Sequence, residues 1–124
     1  DKSDIIAGFS SRGHVLWKNI DGEIKSLVKP DITAPGVDIC AAQWDSAWQD
    51  RECLDTEHTS ISGTSMATPH VAGAVALIKQ KHPDWTPDEI KMVLRNTAVD
   101  IEENIITQGQ GRVDVLGASI SKNL

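Results

Sequence analysis

The residues best suited to covalent chemistry are Gly63-Thr64-Ser65. They lie between a strand-like run, Thr59 to Ser62, and an apolar helical pattern that begins at residue 65, so Ser65 falls at or near a helix N-terminus. Backbone N–H groups there lack partners within the helix, and the helix dipole adds partial positive charge. A hydroxyl nucleophile at that point has donors beside it for the oxyanion of an acyl-transfer intermediate. The small Gly63 lets another chain approach closely. For the bare tripeptide the commoner role of such a serine is an ordinary helix N-cap.

Other side chains with chemical potential are fewer. His70 lies five residues beyond Ser65 on the same helix, so it points away and is refused as a base. His14 and His82 sit in turn-like contexts, whereas His58 precedes the strand that leads to Ser65 and is a candidate for the rim of a cleft. Cys40 and Cys53 allow a single intrachain pairing, and two reduced thiols are the alternative. A bridge there would pin a loop with few other restraints and stabilise by about 3 kcal/mol in the chain-entropy account. Zinc is disfavoured, because Cys40, Cys53 and His58 have neither C-x-x-C nor H-x-x-x-H spacing. Trp17, Trp44, Trp48 and Trp85 read as packing residues rather than a ligand box.

The elements that must position these residues fit one domain over residues 1–124, with 40% hydrophobic and 24% charged residues. A net charge of -6 with scattered basic residues argues against a nucleic-acid partner. The longest apolar run, Val71 to Ile78, is far short of a bilayer span, and Asp1-Lys2-Ser3-Asp4 lacks the apolar core of a signal peptide. Ile5 to Phe9 reads as a strand ending at the turn Ser10 to Gly13. Residues 14–29 read as a hairpin-like excursion, and Ile32 to Pro35 and Val37 to Ala42 as extended segments around Pro35-Gly36. Residues 43–58, with two Trp and five acidic residues, read as a loop insertion.

From residue 65 the pattern is apolar nearly all round, which predicts a helix buried on almost every side, with Pro69 in its first turn. Such a helix calls for a larger protein around it. Thr86-Pro87-Asp88-Glu89 is a helix start with an N-cap, a proline at the first position and a capping box. Ile90, Val93, Leu94 and Thr97 then share one face, Gly109-Gln110-Gly111 interrupts, and Asp114 caps a last short helix.

Residues 63–73, GTSMATPHVAG, resemble the nucleophile motif of the subtilisin-like serine proteases. IAGFSSRG (6–13), KPDITAPGVDI (29–39), HPDWTPDEIKMVLRNTA (82–98) and GQGRVDVLGA (109–118) resemble further segments of that family, in its order, so the resemblance spans nearly the whole chain. It implies a three-layer α/β fold with a mainly parallel sheet, of which this chain is the C-terminal part. It also implies a triad in chain order Asp, His, Ser. Ser65 matches the nucleophile, its own N–H an oxyanion donor, Gly63 and Thr64 the approach to it, and Met66 an oxidation-prone neighbour. His70 matches a family position outside the triad.

The family's triad Asp and His, and the Asn that supplies the second oxyanion donor, lie upstream of the segment resembling IAGFSSRG. The resemblance therefore implies a fragment of an endopeptidase that is inactive alone, acts on peptide substrates only as the complete protein, and has no cofactor in this chain. Calcium is implied for the complete protein, and export by family habit. Two departures bear on substrate preference: residues 14–28 and 43–58 exceed the compact bacterial members, and His14 stands where FSSRG is usually followed by Pro. The alternative is a non-catalytic binding or assembly module that retains the fold. An α/β-hydrolase is disfavoured because G-T-S-M-A is not G-x-S-x-G. A sheet divided in this way exposes an edge and apolar faces, which predicts self-association.

Overall fold

The computed structural model describes residues 4–122. Strands β1 (Val15–Lys18) and β2 (Ile24–Leu27) form one antiparallel pair, and β3 (Ile39–Ala42) and β4 (His58–Ile61) another. Helices α1 (Thr64–Lys81), α2 (Pro87–Asn96), α3 (Ile105–Gln108) and α4 (Val115–Ile120) follow.

The core is helical. Ala74 and Ile78 of α1 meet Ile90, Val93 and Leu94 of α2, Ala118 of α4 and Val113, with Val71, Val75, Trp85 and Ile32 partly buried around them. Helix α2 starts where its local code directs: the Thr86 hydroxyl accepts from the Glu89 N–H while the Glu89 carboxylate accepts from the Thr86 N–H, with Pro87 at the first position. Asp114 caps α4 through the Gly117 N–H at 2.9 Å.

Four expectations require correction. Trp17, Trp44 and Trp48 are 59%, 84% and 50% exposed, so of the four tryptophans only Trp85 packs against the core. Ile5 to Phe9 is not a strand; after irregular backbone at 4–7 the chain turns through Gly8 and Phe9, closed by Ser10 N–H to the Ala7 carbonyl. No described segment runs alongside to pair with it. Pro69 is the sixth residue of α1 rather than part of its first turn, because the helix already begins at Thr64. Pro69 has no N–H to offer the Ser65 carbonyl one turn back. Helix α1 is buried along a single stripe, Ala74 and Ile78, since α2 and α4 pack against only that side; Leu77 stays 53% exposed.

All four strands pair antiparallel, so a mainly parallel sheet is not present among the described residues. Among the described residues parallel pairing is confined to one bridge, Thr33 with Arg112, whose ladder runs through Thr33 N–H to Gly111 O at 2.9 Å and Val113 N–H to Thr33 O at 2.8 Å. Arg112 also exchanges two 2.8 Å backbone bonds with Val99. This three-segment seam ties the stretch before Pro35-Gly36 to the C-terminal helices.

Candidate active site

Strand β4 delivers the chain to Ser62 and Gly63, and α1 begins at Thr64. The cap position belongs to Gly63, which makes no side-chain capping bond, and Ser65 is the second helical residue. Ser65 therefore does not fill the N-cap role that its local sequence favoured. Its side chain is exposed, and among the described residues nothing hydrogen-bonds the hydroxyl. The N–H groups of Met66 and Ala67 turn back to the Gly63 carbonyl at 3.0 and 3.3 Å. The Ser65 N–H lies one residue earlier, before the helical ladder can satisfy it, and remains available to a charged oxygen.

Gly36 holds this turn from the other side. Its carbonyl accepts from the Gly63 N–H at 2.7 Å, and a Cβ on Gly36 would stand 2.8 Å from the Gly63 carbonyl oxygen. Only a residue without a side chain permits that approach. Pro35-Gly36 reads in sequence as a mere turn, so this support was missed; a glycine directly after proline, with a second glycine before a serine at a helix start, is the available signal. Asp38 adds a second tie, its N–H donating to the Ser62 hydroxyl at 2.8 Å. Beside the turn opens a cavity of about 500 Å³, walled by Gly36, Gly63, Thr64 and Ala67 on one side and Ile6 and Phe9 on the other. Met66 lies over Gly63, where a Cβ would find its sulfur at 3.5 Å.

Three of the four histidines, His58, His70 and His82, are otherwise engaged, and His14 stands exposed on the hairpin. His70 Nδ1 donates to the Met66 carbonyl at 2.9 Å, which fixes the ring along its own helix. His82 stacks on Trp85 with centroids 3.8 Å apart, and its Nε2 meets the Ser119 carbonyl at 3.2 Å. His58 Nδ1 lies 2.7 Å from Asp55 Oδ1, a pairing whose i, i+3 spacing was legible but unread. That contact, followed by the Glu57 N–H bond, holds the Asp55 carboxyl below its ordinary range. Cys40 and Cys53 are bridged, which decides between the two thiol states. The bridge joins the excursion 43–57 to β3, while Thr59, buried, donates to the Arg51 carbonyl and pairs with Glu52. Among the described residues no group of three His, Cys, Asp or Glu side chains could hold a metal ion.

A family model described as the subtilase family matches residues 1–113. The chain belongs to the subtilase family. Similar proteins include the subtilisin-like protease SBT4.14 of Arabidopsis thaliana, 44% identical over 103 residues, and SBT1.5 of the same plant, 39% identical over 108 residues. The minor extracellular protease Vpr of Bacillus subtilis (strain 168) is 41% identical over 105 residues. These alignments cover 80–81% of this chain but 11–13% of the relatives, so the subtilase chain spans about an eighth of their length. Among solved structures, fervidolysin from Fervidobacterium pennivorans, a keratinolytic enzyme related to subtilisin, matches with TM-score 0.58 and 32% identity. That match covers 68% of this chain and 14% of fervidolysin. A protease from Pseudoalteromonas arctica PAMC 21717 matches with TM-score 0.55 and 34% identity, over 76% of this chain and 30% of its own. The subtilase segment thus shares its fold with pieces of larger proteases.

Proposed function

We propose that residues 1–124 are the nucleophile-bearing, C-terminal part of a serine endopeptidase catalytic domain, with Ser65 as nucleophile. The observation that carries this reading is the placement of Ser65: exposed, second in α1, excused from capping, and within GTSMATPHVAG. In the complete enzyme the Ser65 oxygen attacks the peptide carbonyl carbon while a histidine base takes its proton. The oxyanion that forms accepts from the Ser65 N–H. The carbon–nitrogen bond then breaks, the amine leaves with the proton, and water hydrolyses the ester. Gly63 keeps the approach open, and Gly36 holds Gly63 in place.

The base, its orienting carboxylate and the oxyanion asparagine belong to the upstream part of the domain, which also supplies the mainly parallel sheet and fills the cavity beside Gly36. Alone, the chain is inactive. Loss of a general base costs about 10²–10⁴-fold, and loss of the side-chain oxyanion donor about 10²–10³-fold, without the two simply multiplying. An extracytoplasmic setting is supported by the disulfide and by the extracellular relative. Calcium, if held, is held by the remainder of the complete protein.

A fluorophosphonate probe tests the reading. The complete protein is expected to label at Ser65 and to lose labelling and peptide hydrolysis on Ser65→Ala, while the 124-residue chain labels negligibly. Efficient labelling of the isolated chain would require a base within it, and His58→Ala would then be the first variant to make. An unreactive Ser65 in a folded, complete protein would instead favour a binding or assembly module.

A further inference from the structure

Ser65 is the second residue of α1, yet that helix has no cap of its own to hold its start, because Gly63 fills the N-cap position without a side-chain bond. The anchor comes from outside the helix. Strand β4 is held as far as Ile61, which pairs with Ile39 of β3, while Thr59 also bridges to Glu52 on the disulfide-bound excursion. Beyond Ile61 the ladder ends, and Ser62 and Gly63 lead on to the helix. Among the described residues, two hydrogen-bonded contacts tie Ser62 and Gly63 to the stretch before β3. One is the backbone bond from the Gly63 N–H to the Gly36 carbonyl. The other depends on side chains, those of Ser62 and Asp38.

The Ser62 hydroxyl is engaged twice by the same partner. It accepts from the Asp38 N–H at 2.8 Å and donates to Asp38 Oδ1 at 3.2 Å. A serine beside a helix start commonly turns its oxygen to the free N–H groups of that helix, whereas Ser62 turns to the segment entering the neighbouring strand. Asp38 has a φ of 50°, in the left-handed region that aspartate and asparagine tolerate better than most other side chains. Both residues are exposed, so burial does not account for a strained backbone held against one serine. Strain kept at such a position is characteristic of sites whose geometry is used.

We propose that Asp38 and Ser62 are positioning residues for the nucleophile, their clasp setting where the chain leaves β4 and hence where the Ser65 oxygen and N–H stand against the scissile peptide bond. This role rests on the reading of Ser65 as nucleophile. Neither residue touches the reacting atoms. Ser62 is separated from Ser65 only by Gly63 and Thr64, so slack at the clasp is passed on to the attacking oxygen. A misplacement of 1 Å can cost about a hundredfold in rate, and an error of position felt in the transition state lowers kcat rather than raising KM.

The test is steady-state hydrolysis of a peptide substrate by the complete protein, with rates expressed per Ser65 titrated to completion by a fluorophosphonate. Ser62→Ala and Asp38→Ala are each expected to lower kcat about tenfold, with KM within about twofold of wild type. Ser62→Thr keeps a hydroxyl, and Asp38→Asn keeps an acceptor oxygen and tolerance of the left-handed backbone, so each stays within about threefold of wild type. The double alanine variant is no slower than the slower single one, because a single contact is lost once. A clasp that serves stability alone would lower the melting temperature by circular dichroism and leave kcat per titrated site unchanged, which overturns the proposal. So does an Asp38→Asn variant as slow as Asp38→Ala, which would assign the effect to charge, or losses that multiply in the double variant or lie in KM alone. Ser65→Ala separates the two levels. If it retains labelling and hydrolysis, the nucleophile reading fails and the positioning role with it; if it abolishes both while the Asp38 and Ser62 variants match wild type, the positioning role alone fails.

Discussion

Residues 64–122 and residues 4–63 are built by different means. The first stretch holds every buried apolar side chain of the described residues, contributed by three helices close in sequence and by Val113 just before the last of them. In the second, only Thr59 is buried, and order comes from hydrogen-bonded turns, two short hairpins and a disulfide. Helices satisfy their backbone internally and need one neighbour per apolar stripe, whereas a two-stranded pair has two open edges and two faces to cover. A segment of a larger fold can therefore keep its helical part nearly complete while its strands stand exposed.

The most severe test of that contrast is Ile78→Ala, which empties the centre of the helical core. A loss of about 2–5 kcal/mol is expected in denaturant melts, and a smaller cost would mean that α1, α2 and α4 do not form a cooperative unit. Next is the disulfide. Intact-mass measurement after alkylation without reductant should find both cysteines protected. The double variant Cys40→Ser, Cys53→Ser should lose up to about 3 kcal/mol of local stability, seen as faster amide exchange across 39–61 with exchange in α1 and α2 unchanged. Equal acceleration in both stretches would erase the distinction. Thr86→Ala, which breaks the capping box, should cost about 1 kcal/mol, confined to the N-terminal turn of α2.

Acid reaches both stretches by the same sign. The Glu89 carboxyl is held down by the Thr86 N–H and hydroxyl, Asp100 by the Gln108 amide, and Asp55 by His58. At Asp31 burial opposes ionisation, but hydrogen bonds from Lys29 and Lys91 outweigh it. Each carboxyl binds its proton less readily folded than unfolded, so its contribution is present above the unfolded value, about 4, and fades as pH falls through the lower folded one. The thermal midpoint should be flat from about pH 7 to 5 and drop below about pH 4, with Glu89→Gln removing part of the drop. The smallest effect belongs to Ile20→Ser: at this fully exposed hairpin tip, melting should move by no more than about 0.5 kcal/mol.

Legibility followed the same division. Thr86-Pro87-Asp88-Glu89 and Asp114 announce helix starts through contacts three residues long, and both caps form as read. The hairpin over 14–29 was readable from Asn19, Asp21 and Gly22, which are turn formers wherever they occur. Ile5 to Phe9 misled because an apolar run states only a willingness to pair, and the partner is not among its neighbours. The apolar circumference of α1 misled likewise, since periodicity reports which faces avoid water and not which are covered. At the site, GTSMATPHVAG marked Ser65, but the brace from Gly36 joins residues 27 apart, and no local pattern encodes that contact.

The β1–β2 hairpin is closed at both ends. At its tip Asn19 and Glu23 exchange side-chain and backbone bonds of 2.8 to 2.9 Å, and at its base Gly13 sits against the Lys29 backbone while its N–H reaches the Ile106 carbonyl at 2.8 Å. None of the residues from Val15 to Val28 is buried. Because the two ends of the excursion already meet, its length is nearly free to vary: doubling such a loop adds only about 0.6 kcal/mol of closure entropy. The hairpin is thus a natural splice point, where an epitope, a fluorophore or a foreign peptide can be carried without disturbing the turn that presents Ser65.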